Sequence, residues 1–389
     1  MSALRGELYR FELKFKEPAM TSRGTYLTHT VWYPVLHWEG KLALGECAPL
    51  PDLSADFLSQ GATEDSRLRG YEALLCEHLQ ALCAALRQGQ SPAVDSWRPY
   101  SALRFGFECL LQSYTQQQAS VAASQDAGAA VLFPSAFTHG SLDLPINGLI
   151  WMGSFEVMAQ RIVSKLAEGY RCIKLKIGAI DFAQELQLLE QLRSRFSPEQ
   201  LELRVDANGA FSAATVGDKL KALSAFQLHS IEQPVKAGQW ELMAKLCAES
   251  PIAIGLDEEL IGVNEQQQKI DLLDTIKPQY LILKPSLHGG LSGCEEWINL
   301  AKERGIGYWV TSALESNIGL NAIAQWCALQ NVTMPQGLGT GLLYTNNVLS
   351  PLSIQHAKLH CDLAAVGAYD DYVRKFLASE ATLVGSWDI

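Results

Sequence analysis

At 389 residues the chain exceeds one ordinary domain of about 100–200 residues, which implies two domains or one barrel with an addition. A composition of 48% hydrophobic and 19% charged residues, with 30 Gly and 15 Pro, excludes disordered, collagen-like and coiled-coil classes. Lys and Arg number 31 against 42 Asp and Glu, a net charge of −11 without a basic run, so nucleic acid is not an expected partner.

Met1 to Lys16 mixes Arg5, Glu7, Arg10, Glu12, Lys14 and Lys16 with apolar residues, unlike the unbroken apolar core of a secretory signal. No uncharged apolar run reaches the ~18 residues of a membrane helix, so membrane insertion is not expected. The nine cysteines are odd in number, scattered and without a C-x-x-C pair, and several lie in apolar stretches such as Glu108-Cys109-Leu110-Leu111. They read as buried thiols in a reducing cytoplasm.

From Leu8 to Glu46 the sequence alternates in strand fashion, with turn signals at Thr21–Gly24 and at Glu39-Gly40, between Val31–Trp38 and Lys41–Gly45. This predicts a small antiparallel sheet. Over 67–88 and 99–116, apolar residues such as Leu68, Tyr71, Leu75 and Leu79, then Leu103, Phe107 and Leu110, recur at helical spacing and predict two helices packed on it. Residues 117–141, rich in Gln, Ala and Ser, read as a helix end running into a connector.

Beyond the connector, short apolar runs alternate with helical segments: Leu144–Ile150, Cys172–Ile177, Leu201–Val205, Ser230-Ile231, Ile252–Leu256, Tyr280–Leu283 and Gly307–Thr311. Strands alternating with helices predict a parallel sheet. A polar residue stands where the runs end, and the intervals are even: Lys176 to Asp206 is 30 residues, then 26 to Glu232, 25 to Asp257, 27 to Lys284 and 28 to Ser312. One strand, one helix and two loops have about that length. A closed barrel gathers the C-terminal ends of its strands into one site, whereas an open sheet spreads them along an edge, so a TIM-type barrel is preferred.

Lys174 and Lys176 share one strand face by period two, while Ile173, Leu175 and Ile177 face the other way. On an isolated strand such a pair is a solvated face. Inside a barrel only the mouth offers the ammonium groups water. Val205-Asp206-Ala207-Asn208, Ile231-Glu232-Gln233-Pro234 and Leu256-Asp257-Glu258-Glu259 each put an acid just past a strand. Any one of them can be explained as a helix cap. Three convergent carboxylates repel unless a cation lies among them, and an all-oxygen set without His or Cys suits Mg²⁺, with Mn²⁺ as a substitute. Such an ion keeps positions for a substrate carboxylate and acts as a Lewis acid.

Lys284 ends the next strand in Leu281-Ile282-Leu283-Lys284-Pro285-Ser286, where it is either a functional charge or an ion pair with a site acid. Thr311 to Gly319 and Gly337 to Gly341 supply hydroxyls and backbone N–H groups for a substrate carboxylate, with Ser312, Glu315, Ser316 and Asn208 as candidate substrate contacts. An N-cap and a tight glycine turn explain the same segments without a ligand. The eight histidines show no metal-ligand spacing. A divalent ion flanked by lysines can remove the proton α to a carboxylate, with metal and one ammonium stabilising the developing charge while a neutral lysine takes the proton. Lysine ordinarily titrates near ~10.4, so such a base near pH 7 needs a fall of about three units.

With these residues in place, the chain resembles the enolase superfamily, muconate lactonizing enzyme subgroup. Gly45-Glu46-Cys47-Ala48-Pro49-Leu50-Pro51 looks like the active-site loop of its capping domain, and the K-x-K, D-x-N, E-Q-P, D-E and L-K-P-S series follows in order over nearly the whole chain. The resemblance implies a modified TIM barrel of (β/α)7β type at 141–349, and an α+β capping domain at 1–140 joined by the tail 350–389. It implies Asp206, Glu232 and Asp257 as Mg²⁺ ligands, Lys176 as base, Lys174 as its electrostatic neighbour and Lys284 as a cation over the substrate face.

The implied reaction is syn-dehydration of the small-molecule carboxylate 2-succinyl-6-hydroxy-2,4-cyclohexadiene-1-carboxylate to 2-succinylbenzoate, in menaquinone biosynthesis. Ser312 to Gly319 looks like the corresponding segment of the enzymes with that activity. An N-acylamino acid racemase or dipeptide epimerase uses the same proton abstraction and is the alternative, and a catalytically silent carboxylate binder is the alternative of another class. The sequence departs from the relatives at 117–141 and at Asp257-Glu258-Glu259, where Ser or Pro is usual in third place. Oligomeric state is not legible in the sequence.

Overall fold

The computed structural model describes residues 4–21, 24–122 and 128–388. Three antiparallel strands open the chain: β1 (Arg5–Thr21), β2 (Gly24–Trp38) and β3 (Lys41–Leu44). The Glu39-Gly40 link has φ of 47° and 77° at its two central residues, the left-handed pair that a two-residue hairpin requires. The four residues α1 (Ala55–Leu58) precede α2 (Glu64–Arg87) and α3 (Ser101–Ala122). The Thr63 hydroxyl accepts the Ser66 N–H and the Ser66 hydroxyl accepts the Thr63 N–H, a reciprocal cap that starts α2. Leu8, Trp32 and Leu36 of the sheet pack against Tyr71, Leu75 and Leu79 of α2 and Leu103 and Phe107 of α3.

The first unit is completed from the other end of the chain. Strand β14 (Thr382–Asp388) pairs antiparallel with β1, giving the order β14-β1-β2-β3, and α11 (Tyr369–Glu380) lays Val373, Phe376 and Leu377 on Phe11, Tyr33 and Val35. Helices thus cover both faces of this sheet. Each fully buried large apolar side chain contributes about 1.5–3 kcal/mol.

The second sheet is parallel: β5 (Gly148–Ile150), β6 (Cys172–Lys176), β7 (Glu202–Asp206), β8 (Ser230–Glu232), β9 (Ile254–Leu256), β10 (Tyr280–Leu283) and β11 (Gly307–Val310) neighbour one another in sequence order. Between and after them run α4 (Phe155–Ala167), α5 (Phe182–Arg193), α6 (Val216–Leu223), α7 (Trp240–Glu249), α8 (Gln266–Ile276), α9 (Gly290–Glu303) and α10 (Asn317–Leu329). Isolated parallel bridges from Gln336 to Ile146 and from Gly337 to Thr311 connect the chain beyond α10 to both edges of the sheet. This is the expected alternation of strand and helix with a final short return.

The run Leu144–Ile150, read as one strand, is two. β4 (Leu144–Pro145) joins β13 (Lys358–Cys361) and β12 (Leu352–Gln355) in a separate antiparallel sheet, and only Gly148–Ile150 enters the parallel one. Pro145 has no N–H for a ladder, and the next two amides donate to Ala357 O and Gln336 O, so the chain changes partner there. In the stretch 117–141, α3 extends to Ala122 and residues 123–127 lie outside the described residues. Further on, Gln325 of α10 accepts the N–H groups of Leu132 and Phe133 and donates to Ala130 O, which straps this segment to the helix.

Acids of the first unit hold the N-termini of helices in the second. Glu108 accepts N–H groups from Leu291 and Ser292 at the start of α9, where Gly289 and Gly290 have φ of 92° and 78°. A Cβ at Gly290 would stand 2.5 Å from Glu108 Oε2, so glycine alone allows this approach. Arg98 adds a two-pronged bond to Glu296.

Candidate active site

The strand ends of β6 to β10 converge as the even spacing predicts. Asp206, Glu232 and Asp257 sit at the ends of the adjacent strands β7, β8 and β9, and the lysines come from the strands on either side. In register, Lys176 lies opposite Asp206 and Asp206 opposite Glu232. Ile173, Leu175 and Ile177 turn outward into the apolar layer beneath the helices, leaving Lys174 and Lys176 inside.

Lys174 Nζ lies 3.0 Å from Asp206 Oδ2 and 2.5 Å from Glu232 Oε2. Lys176 Nζ lies 3.2 Å from Asp206 Oδ2, 2.8 Å from Asn208 Oδ1 and 5.7 Å from the centroid of the Trp151 ring. From the opposite side, Lys284 Nζ bonds Asp257 Oδ2. Asn208, at a φ of 43°, is turned so that its amide nitrogen donates to Glu258 Oε1 at 3.0 Å and its oxygen faces Lys176.

None of the three acids caps a helix. Asp206 accepts the nearby Asn208 N–H, and α6 begins only at Val216. Asp257 precedes one short turn without capping it through its side chain. All three carboxyls are buried, with relative exposures of 1%, 2% and 0%. Burial pushes Glu232 well above the usual carboxylate range, and the Asp206 charge pushes the same way. Burial would raise Asp206 and Asp257 as well, but Lys174 and Lys176 on the first, and Lys284 on the second, hold them low. In return, burial disfavours the Lys174 and Lys284 ammonium groups, yet the surrounding carboxylates raise both and keep them charged.

This donor set fits a hard divalent cation. Glu232 Oε1, Asp257 Oδ1 and Glu258 Oε2 are buried oxygens without a hydrogen-bond partner, and unsatisfied carboxylate oxygens in one enclosed space call for a cation. Among the described residues no three His, Cys, Asp or Glu stand gathered as a ready ligand cage, because the lysine ammonium groups stand between the carboxylates.

Over this centre, Leu50, Leu287, Ala313 and Leu314 form an apolar cluster with Phe15, Tyr26, Leu53 and Trp151 packed on it. The imidazole of His29 lies 2.9 Å from Leu314 O and 3.2 Å from Pro49 O and, kept neutral by burial, donates its single N–H to one of them, between the loop of the first unit and the segment after β11. A cavity of about 380 Å³ lined by Trp151, Trp309, Thr311, Thr340 and Leu343 reaches Lys174.

The structure therefore brings Lys174, Lys176, Lys284, Asp206, Glu232, Asp257 and Asn208 together. Ser312 lies past β11, its hydroxyl 2.5 Å from that of Thr340. Glu315 and Ser316 are fully buried with their side chains engaged by protein partners: Glu315 bonds the Ser286 hydroxyl and the Ala313 N–H, and Ser316 bonds Glu46. Trp151 and His288 were not singled out in the sequence, and Glu46 and Glu258 entered it only inside longer segments, the loop Gly45–Pro51 and Asp257-Glu258-Glu259, without roles of their own. Adjacency to Asp257 was a signal for Glu258, a place four residues after Lys284 one for His288, and the loop Gly45–Pro51 one for Glu46, while nothing local marked Trp151.

Comparison with known proteins agrees with this geometry. Residues 157–361 match the family model described as Enolase C-terminal domain-like. The o-succinylbenzoate synthase of Desulfotalea psychrophila is 48% identical over 371 residues, covering 91% of this chain and 98% of the relative. The crystal structure of MenC from the same organism superposes with a TM-score of 0.75 at 44% identity, covering 92% of this chain and 99% of that one. The N-succinylamino acid racemase of Thermus thermophilus is 32% identical, but over 185 residues, 47% of this chain and 48% of its own length.

Proposed function

The chain belongs to the enolase superfamily, among the o-succinylbenzoate synthases, and we propose that it dehydrates 2-succinyl-6-hydroxy-2,4-cyclohexadiene-1-carboxylate to 2-succinylbenzoate. The observation that carries this reading is the 48% identity over 91% of the chain, which extends along both the barrel and the unit that covers it. The racemase likeness spans about half of the chain.

Asp206, Glu232 and Asp257 would hold Mg²⁺ in this reading: Glu232 Oε1 and Asp257 Oδ1 are buried without a hydrogen-bond partner, and Asp206, bonded to Asn208 and the lysines, stands beside Glu232 in register. Bound there, the ion supplies Lewis-acid stabilisation of the charge that develops on the substrate carboxylate. Lys176 takes the α-proton on Nζ, and the electron pair of the broken C–H bond expels the hydroxyl group of the neighbouring ring carbon. Lys176 returns its proton to that leaving group, so water departs on the same face and the ring becomes aromatic. Lys174 stays charged between Asp206 and Glu232, and Lys284 stays charged against Asp257 and offers its cation to the substrate face. Asn208, held by Glu258, orients the Lys176 amine.

Ser312 belongs to the substrate wall in this reading, whereas the buried contacts of Glu315 and Ser316 assign them to support of that wall. The boundaries 1–140 with 350–389 for the cap and 141–349 for the barrel remain this reading's division, with the difference that within 350–389 it is α11 and β14 that join the first sheet, while β12 and β13 pair with β4 and pack on the barrel core. The nine thiols are all free, which suits a reducing cytoplasm, and no helix of the described residues is long and apolar enough to cross a membrane. The test is loss of the diene absorbance when the substrate is added to the protein with Mg²⁺, and its persistence with Lys176→Ala. Persistence of the absorbance with the unaltered protein and Mg²⁺ would refute the reading.

A further inference from the structure

We propose that His288 is a positioning residue for the cation site: it donates its Nε2–H to Asp257 and holds that carboxylate turned toward the ion. The inference rests on the reading of Asp257 as a Mg²⁺ ligand.

The ring of His288 is fully buried and fixed from one side. Its Nδ1 accepts the backbone N–H of Lys284 at 3.0 Å, and its own backbone N–H returns to Lys284 O at 2.9 Å. A nitrogen that accepts an N–H carries no proton itself, so the neutral ring carries its hydrogen on Nε2. Nε2 is therefore a donor. It lies 4.0 Å from Asp257 Oδ1, and both atoms are buried without a hydrogen-bond partner. A buried donor facing a buried acceptor, each otherwise unpaired, is a costly arrangement unless the two serve one another. An approach of about 1 Å makes the bond.

The other oxygen of Asp257 is engaged by Lys284. One residue thus binds the backbone of the strand-end lysine through Nδ1 and addresses the strand-end carboxylate through Nε2. Partners of this kind set the direction of a ligating carboxylate.

Calorimetric titration of the folded protein with Mg²⁺ separates this role from a merely structural one. His288→Leu removes both contacts and is expected to weaken Mg²⁺ binding by about 10–100-fold. His288→Gln places an amide N–H near the position of Nε2 and is expected to retain affinity within a few-fold. His288→Asn offers Lys284 an acceptor but ends short of Asp257, and is expected to fall with the leucine variant. Asp257→Asn is the control for the site. If it loses Mg²⁺ while the leucine and asparagine variants bind normally, the role of His288 is overturned and the metal site stands. If Asp257→Asn binds Mg²⁺ normally, the metal-site reading falls and takes this inference with it. Rescue by Asn but not Gln would also overturn it, by placing the effect in the Lys284 backbone. Should the leucine variant not fold, ¹⁵N spectra of the unaltered protein decide: a proton on Nε2 that shifts with Mg²⁺ supports the role, and a proton on Nδ1 refutes it.

Discussion

Glu46 accepts the backbone N–H of Ser316 at 2.6 Å, and through this pair the sheet unit is bound to the helix that closes the barrel. The Ser316 hydroxyl and the Gly319 N–H donate to the same carboxylate at 2.5 and 2.7 Å. A carboxylate at a helix N-terminus meets unpaired N–H groups and the positive end of the helix dipole. Burial nevertheless pushes its carboxyl up to about 7 from an ordinary 4.5.

A raised acid binds its proton in the folded state while the unfolded chain has already released it. Glu46 therefore lowers stability as pH rises from about 4.5 to about 7, by a span of about 3 kcal/mol, and adds no further slope above that. Glu46→Gln is expected to flatten the melting temperature against pH within this window relative to the unaltered protein. Parallel curves for the two proteins would contradict the assignment.

Removing the charge of Asp206, Glu232 or Asp257 as the amide is expected to weaken Mg²⁺ binding and turnover together. Calorimetry on the three variants checks this. Unchanged Mg²⁺ affinity in all three would make the cluster a structural ion-pair network around Lys174 and Lys284.

Lys176→Ala is expected to lose at least ~10²–10⁴ in rate with fold and Mg²⁺ affinity preserved, because a general base is removed while the metal ligands stay. Circular dichroism, calorimetry and initial rates on one preparation decide it. Near-normal turnover would sink the role of Lys176.

Lys284→Arg keeps a charge but cannot release a proton at ordinary pH. Syn elimination needs one proton-transferring lysine, so part of the dehydration is expected to survive, whereas racemisation, which needs a proton from each face, is expected to vanish. Equal loss of both activities would mean that Lys284 exchanges protons in both.

The convergence of the lysines and acids was legible because a barrel writes one polar residue per strand–helix unit, and Lys176, Asp206, Glu232, Asp257 and Lys284 each stand at the end of an apolar run at a nearly constant interval. The first sheet was legible in its alternation and in Glu39-Gly40. What stayed hidden depends on contacts distant in sequence. Glu46 acts on a helix 270 positions later, and β14 reaches back to β1. His288 looked plain because its meaning lies in two directed bonds and not in a spacing. The run from Leu144 to Ile150 read as one strand because its apolar character is continuous, while the change of partner follows from the missing amide of Pro145 and the later arrival of β13.

Dehydration is the principal chemistry proposed for this site. The direct measurement is one preparation with Mg²⁺ in D₂O, comparing the rate of aromatisation of the cyclohexadiene carboxylate with the rate of α-hydrogen exchange into N-succinylamino acids. Aromatisation is expected to be much the faster. Exchange far faster than aromatisation would contradict it and assign the chain to the racemases.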